Sequence, residues 1–196
     1  MKDIILASAS PRRSELLKRI GLEFKIIPSD IDEANIGNLE PASYTVDLAR
    51  KKALDIANKT NISSLIIAAD TIVVKDGILG KPSDENEAFE MLKVLQGQWH
   101  EVITGVSVID SGSKKGITDY EKTLVKMTSL SDMEIKAYIK SGEPMDKAGS
   151  YGIQGLGAMI VERIEGCYFN VVGLPLNKLN VMMRSFGVNL LMGEIG

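Results

Sequence analysis

The stretch from Val102 to Ile109 constrains the fold more than any other part of the chain. Val102, Thr104, Val106 and Val108 alternate with Ile103, Gly105, Ser107 and Ile109, and the turn Gly112-Ser113-Lys114-Lys115-Gly116 leads into residues 117–127. A period of two over that length marks a strand, and a connection that short calls for a hairpin. Elsewhere, short apolar runs alternate with stripes of helical period. A chain holding both patterns folds as a mixed α/β domain rather than around an all-parallel sheet.

Ile4–Ala7 reads as a buried first strand. Ser10 suits the cap and Pro11 the first position of a helix whose inner stripe is Leu16, Leu17 and Ile20, ended by Gly21. A second strand is expected at Phe24–Ile27, and a second helix from about Pro41 to Ala57 with Val46, Ala49, Ala53 and Ile56 on one face. Leu65–Ala69 is a strand that delivers Asp70 and Thr71 at its end. Ile72–Val74 and Ile78–Leu79 flank Asp76-Gly77, a hairpin signal. Ser83–Gln96 reads as a helix stopped by Gly97. Ser131 and Glu134 make a capping box for another, ending near Gly142, with Leu130 placed to staple onto Ile135. Strands are expected at about 158–164 and 167–172, joined at Glu165-Gly166. Leu176, Leu179, Met183 and Phe186 stripe a final helix, and Trp99 is expected in the core.

The counts remove whole classes of chemistry. With one cysteine (Cys167) and one histidine (His100), neither an intrachain disulfide nor a zinc site of Cys and His ligands can be built. A lone thiol fits a reducing compartment. A metal would sit on carboxylates and substrate oxygens, which points to magnesium or manganese. A net charge of −3 and an aromatic content of 5% argue against a nucleic-acid partner. No signal peptide and no apolar run of membrane-spanning length is seen, so a cytoplasmic location with no membrane partner is expected. The 196 residues are read as a single domain.

Several positions could carry chemistry. Ser8-Ala9-Ser10-Pro11-Arg12-Arg13 joins a strand to a helix start, where free N–H groups favour an anion. Two arginines in a first turn oppose the helix dipole, which suggests phosphate binding; solvated arginines with partners such as Glu15 are the alternative. Asp70 ends an apolar strand, where α/β sheets present catalytic carboxylates, or else it caps a turn. Glu33 lies in an acidic loop that solvation alone would explain. Lys52 falls at the border of a helix face, where snorkelling is the plain reading. Gly80-Lys81-Pro82 is not a P-loop, because Pro82 stands where Ser or Thr should be, yet Lys81 can reach a phosphate from a glycine-opened loop. The loop 149–157 lacks the order of a dinucleotide fold, but its glycines allow close backbone approach, and Gln154 offers both a donor and an acceptor. His100 sits in a strand-like stretch, which argues against a Ser-His-Asp triad. Together, two carboxylates could hold a divalent cation while Arg12, Arg13, Lys52 and Lys81 neutralise a polyphosphate.

This set resembles the Maf family of nucleoside triphosphate pyrophosphatases. The matching pieces are LASASPRRSELL (6–17), Asp32-Glu33, LARKKA (48–53), AADT (68–71), LGKP (79–82), MDKAGSYGIQG (145–155) and VVGLP (171–175). The resemblance implies a Maf/ITPase-like α/β fold: an elongated mixed sheet flanked by helices, two lobes around an active-site cleft, often as a homodimer. It implies cleavage of a nucleoside triphosphate between the α and β phosphates with a divalent cation (Mg2+ or Mn2+), a house-cleaning activity. Asp70 matches the catalytic proton acceptor. Glu33, Lys52, Lys81, Ser8 and Arg13 match other active-site positions, with Glu33 and Asp70 as the metal-binding pair. Arg12, Thr71 and Gln154 match the positions that mark the dTTP/UTP branch. A Gln amide complements the imide edge of uracil and thymine, and a site that pairs a substrate hydrogen bond discriminates strongly. The rival readings are a pyrophosphatase for a modified base such as 7-methyl-GTP, and a non-enzymatic inhibitor of septum formation.

Overall fold

A computed structural model of the chain describes residues 2–31, 39–192 and 194–195. The chain forms two compact units. The first comprises Met1–Asp70, Thr104–Glu121 and Gly173–Gly196; the second comprises Thr71–Ile103 and Lys122–Val172. Among the described residues seven strands make one mixed sheet in the order β2-β1-β3-β5-β6-β7, with β4 paired to β3. These are β1 (Asp3–Leu6), β2 (Lys25–Ile26), β3 (Ser64–Val74), β4 (Ile78–Leu79), β5 (Trp99–Asp110), β6 (Gly116–Met127) and β7 (Val161–Glu165).

In the first unit, β1 pairs in parallel with β2 on one side and with β3 on the other. The helix α1 (Pro11–Arg19) links β1 to β2, and α2 (Pro41–Lys59) carries the chain from β2 to β3 on the other side of β1. α2 lays Ala53, Ile56 and Ala57 on Ile5, Ala7, Ile66, Ala68 and Ile109. Small residues on both sides bring helix and sheet close, and closest at Gly105, where an added Cβ would overlap the Thr45 carbonyl of α2. Neither face of β5 is solvated: Val102–Ile109 are buried throughout, so the alternation marks two apolar faces rather than one.

In the second unit, α3 (Glu85–Leu95) and α4 (Asp132–Lys140) bury Ala88, Leu92, Leu95, Ile135 and Ile139 around Val102, Val125 and Met127. The capping box of α4 forms as its sequence requires, and Asp84 caps α3. β6 and β7 pair antiparallel.

Several expectations need correction. β3 does not stop at Ala69 but runs on to Val74, so Asp70 and Thr71 are in mid-strand. Residues 167–172 are not a strand but contain α5 (Tyr168–Val172), and Gly155–Met159 is a 3-10 turn ahead of β7. Cys167 is held at that helix start: its N–H donates to Thr123 Oγ1, whose hydroxyl donates back to the Cys167 carbonyl. Trp99 is 37% exposed because β5 turns His100 inward and its neighbour outward. Ile20 lies beyond the last turn of α1 and is likewise 37% exposed. Finally, Ser10 has the extended backbone of a cap but makes no side-chain cap bond. The last helix, α6 (Leu176–Arg184), ends before Phe186; β8 (Val188–Asn189) and β9 (Glu194–Ile195) then pair. Among the described residues no helix is long and apolar enough to cross a membrane.

Candidate active site

The strand order β2-β1-β3 places a topological switch between β1 and β3, where the chain leaves one strand in each direction. Such a crevice, outside the carboxyl ends of the strands, is where open α/β sheets take up ligands. Leu6 is level with Ile67, and the Ala7 N–H donates to the Ile67 carbonyl at 2.7 Å. Ser8 therefore follows the end of β1 while β3 continues through Asp70 to Val74. Ser8 and Asp70 lie on adjacent strand paths at this switch, within the first unit.

Each is held from a second element. The Asp70 carboxylate accepts a hydrogen bond from the Lys52 ammonium at 2.8 Å, and both residues are only 7% exposed. Lys52 thus snorkels inward from α2, toward a carboxylate, rather than out to water. Ser8 Oγ accepts from the Ser10 N–H (3.2 Å) and from Arg13 Nη1 (3.0 Å), and Arg13 Nε donates to the Gly173 carbonyl (2.8 Å). Arg13 is locked between the β1 loop and the segment leading into α6, so its cost at a helix N-terminus is offset by fixed partners. Arg12 beside it is half-buried. The first turn of α1 carries no acidic residue, so its field stays positive toward the crevice.

Glu33 lies outside the described residues. In the second unit Lys81 is exposed, while Thr71 and Gln154 are half-buried. The Gly149 N–H donates to the Gly80 carbonyl at 2.9 Å, which ties the Lys81 loop to the glycine-rich loop that carries Gln154. The role of Gly173 was not legible from its motif, because a backbone carbonyl leaves no mark in residue types. Among the described residues no three His, Cys, Asp or Glu side chains gather to hold a metal ion. Asp70 fits the other mode open to magnesium, in which one or two carboxylates and substrate phosphates complete the shell.

His100 belongs to the second unit. It is buried, with Nε2 2.5 Å from the Tyr151 hydroxyl, while Nδ1 has no partner among the described residues. Burial, with the Lys75 charge adding to it, lowers its pKa to about 4. A neutral buried imidazole is protonated more readily in the unfolded chain. Stability is therefore expected to be full above pH 6.5 and to fall between about pH 6.5 and about 4, by about 3 kcal/mol in total. Urea unfolding across that range should show one more proton of linkage for the wild type than for His100→Gln. Equal slopes would mean that His100 titrates normally.

Residues 3–186 match the family described as Maf-like protein. The chain belongs to the Maf family. It is 54% identical over 197 residues to a dTTP/UTP pyrophosphatase of Acetivibrio thermocellus, covering 97% of this chain and 98% of the relative. It is 52% identical to proteins of the same name from Caldicellulosiruptor bescii, covering all of both chains, and from Clostridium tetani, covering 96% of this chain and all of the relative. Among solved structures, a HAM1 protein from Coxiella burnetii superposes with a TM-score of 0.49 at 16% identity, over 82% of this chain and 81% of that one. Membership of the Maf family accounts for the joint presence of the seven sequence pieces, of which 6–17 holds the bonded pair Ser8 and Arg13, while 48–53 and 68–71 hold the bonded pair Lys52 and Asp70.

Proposed function

We propose that this Maf protein hydrolyses dTTP and UTP to the nucleoside monophosphate and pyrophosphate, in the cytoplasm. The observation that carries the reading is the buried Lys52–Asp70 pair at the β1/β3 switch, beside an arginine fixed by Ser8 and Gly173. The names of relatives more than half identical over essentially full length support it.

Water attacks the α-phosphorus in line. Its oxygen forms the new P–O bond, the bond to the bridging oxygen breaks, and the electron pair leaves on pyrophosphate. Asp70 takes the proton that the water loses, and the Lys52 hydrogen bond orients its carboxylate for that transfer. Arg13 offers N–H groups to phosphate oxygens from a side chain that need not reorganise. Arg12 and Lys81 add positive charge for the triphosphate, and Thr71 and Gln154 contact the nucleoside. Asp70 and Glu33 would hold a magnesium or manganese ion, which when bound neutralises charge on the phosphate oxygens.

Pyrophosphate release over a panel of canonical and modified triphosphates, with manganese present, tests the assignment. Turnover should be greatest with dTTP and UTP; a preference for a guanine nucleotide would replace the substrate, and no release from any would overturn the activity. On the same panel Gln154→Ala should lower kcat/KM for UTP by roughly 10-fold or more while altering CTP little, because an unread imide loses a paired hydrogen bond. An unchanged ratio would remove Gln154 from base reading.

A further inference from the structure

The second unit contains a built clamp that none of the steps above uses. Glu143 opens a 3-10 turn shortly after α4. Its Oε1 accepts from the Tyr138 hydroxyl (2.8 Å) and the Gly157 N–H (2.9 Å), and its Oε2 accepts from the Leu156 N–H (2.9 Å). The Tyr138 oxygen in turn accepts from the Gly152 N–H at 3.2 Å. Gly152 lies two residues before Gln154, and Leu156 and Gly157 lie two and three after it. The loop is thereby folded back around one carboxylate. Its packing leaves no slack, because a Cβ at Gly157 would overlap the Gly152 carbonyl and stand 2.8 Å from the Tyr138 hydroxyl.

Burial pushes the Glu143 carboxyl up, but the Gly157, Leu156 and Tyr138 hydrogen bonds, with the Lys147 charge, bring it below the ordinary range. It is therefore ionised at neutral pH, and charge-assisted bonds of this kind are the stronger ones. Every bond from the clamp to the loop goes to a backbone N–H group, of Gly152, Leu156 or Gly157, so none of them consumes the Gln154 amide.

Resting on the reading of Gln154 as the side chain that meets the base, the geometry points to Glu143 and Tyr138 as positioning residues that set the preference for uracil and thymine. A donor–acceptor pair on a substrate edge discriminates only if it is held within about half an ångström of the right place. A free glycine-rich loop would not hold it there. Glu143 and Tyr138 fix the backbone on both sides of Gln154, and the imide edge is the chemistry that gains from that.

Initial rates of pyrophosphate release from UTP and CTP, for the wild type, Tyr138→Phe and Glu143→Gln, test the inference. Each loss of a clamp bond should raise KM for UTP roughly 3- to 10-fold while kcat stays within about 2-fold. The UTP-over-CTP ratio of kcat/KM should fall in step, and in a Gln154→Ala background the same substitutions should lower it no further. Variants that keep the wild-type ratio, or that lose kcat alone, would overturn the inference. A wild type that releases no pyrophosphate from any triphosphate would instead overturn the functional reading, and this role with it; the two failures are separated before any substitution is made. Tyr138→Phe removes a single oxygen, so it decides the matter should Glu143→Gln fail to fold.

Discussion

Replacing Asp70 by Asn is expected to leave a folded protein whose kcat for dTTP and UTP is roughly 10²- to 10⁴-fold lower, the usual range for loss of a general base. The substitution keeps the shape of the side chain, and an amide oxygen can still accept the Lys52 hydrogen bond seen at 2.8 Å. What it removes is the negative charge, and with it the ability to take a proton and to serve as an anionic metal ligand. KM should change far less than kcat, because Arg13, the main group proposed to meet the phosphates, is held by Ser8 and Gly173. Steady-state release at saturating UTP, on protein shown to be folded by circular dichroism, checks the expectation. Near-native turnover would move the proton acceptor elsewhere.

The second large effect concerns stability. Lys52→Met should destabilise the fold by roughly 3–5 kcal/mol, since it leaves the 7%-exposed Asp70 carboxylate without the charge that accompanies it. In a domain of this size that corresponds to a melting temperature lower by about 10 °C. The double variant Lys52→Met with Asp70→Asn should be more stable than Lys52→Met alone, because no stranded charge remains. Thermal melts of the two single variants and the double one measure the coupling. A Lys52→Met protein that melts with the wild type would mean the pair is wet and loosely held in solution. Lys52→Met should also turn over slowly, as the Asp70 carboxylate loses its orientation.

Much of this organisation was legible in the chain. Pro11 and the stripe of Leu16 and Leu17 define α1, Ser131 and Glu134 start α4, and Asp76-Gly77 turns β3 into β4. Local chemistry decides those features, so local reading finds them. Residues 168–172 misled because Tyr, Phe, Val and Val favour strands in isolation. Asn170 instead turns inward to donate to the Val102 carbonyl and to Thr123 Oγ1, both at 3.0 Å and both distant in sequence. Lys52 was half-legible. Periodicity put it at the edge of a buried face, but only the position of Asp70, eighteen residues on, decides which way the ammonium points. Glu143 and Tyr138 left no signal at all, since the groups they hold are backbone N–H groups up to fourteen residues away.

Gly105 carries no functional group, yet the reach of Lys52 depends on it. By sparing the space a methyl would fill against the Thr45 carbonyl, it lets α2 settle on the sheet seven residues before the lysine that meets Asp70. The spacing between helix axis and strand is thus the ruler against which the ammonium is measured. Any thickening of that seam would lift the cation off its anion while every reactive group stayed in the sequence.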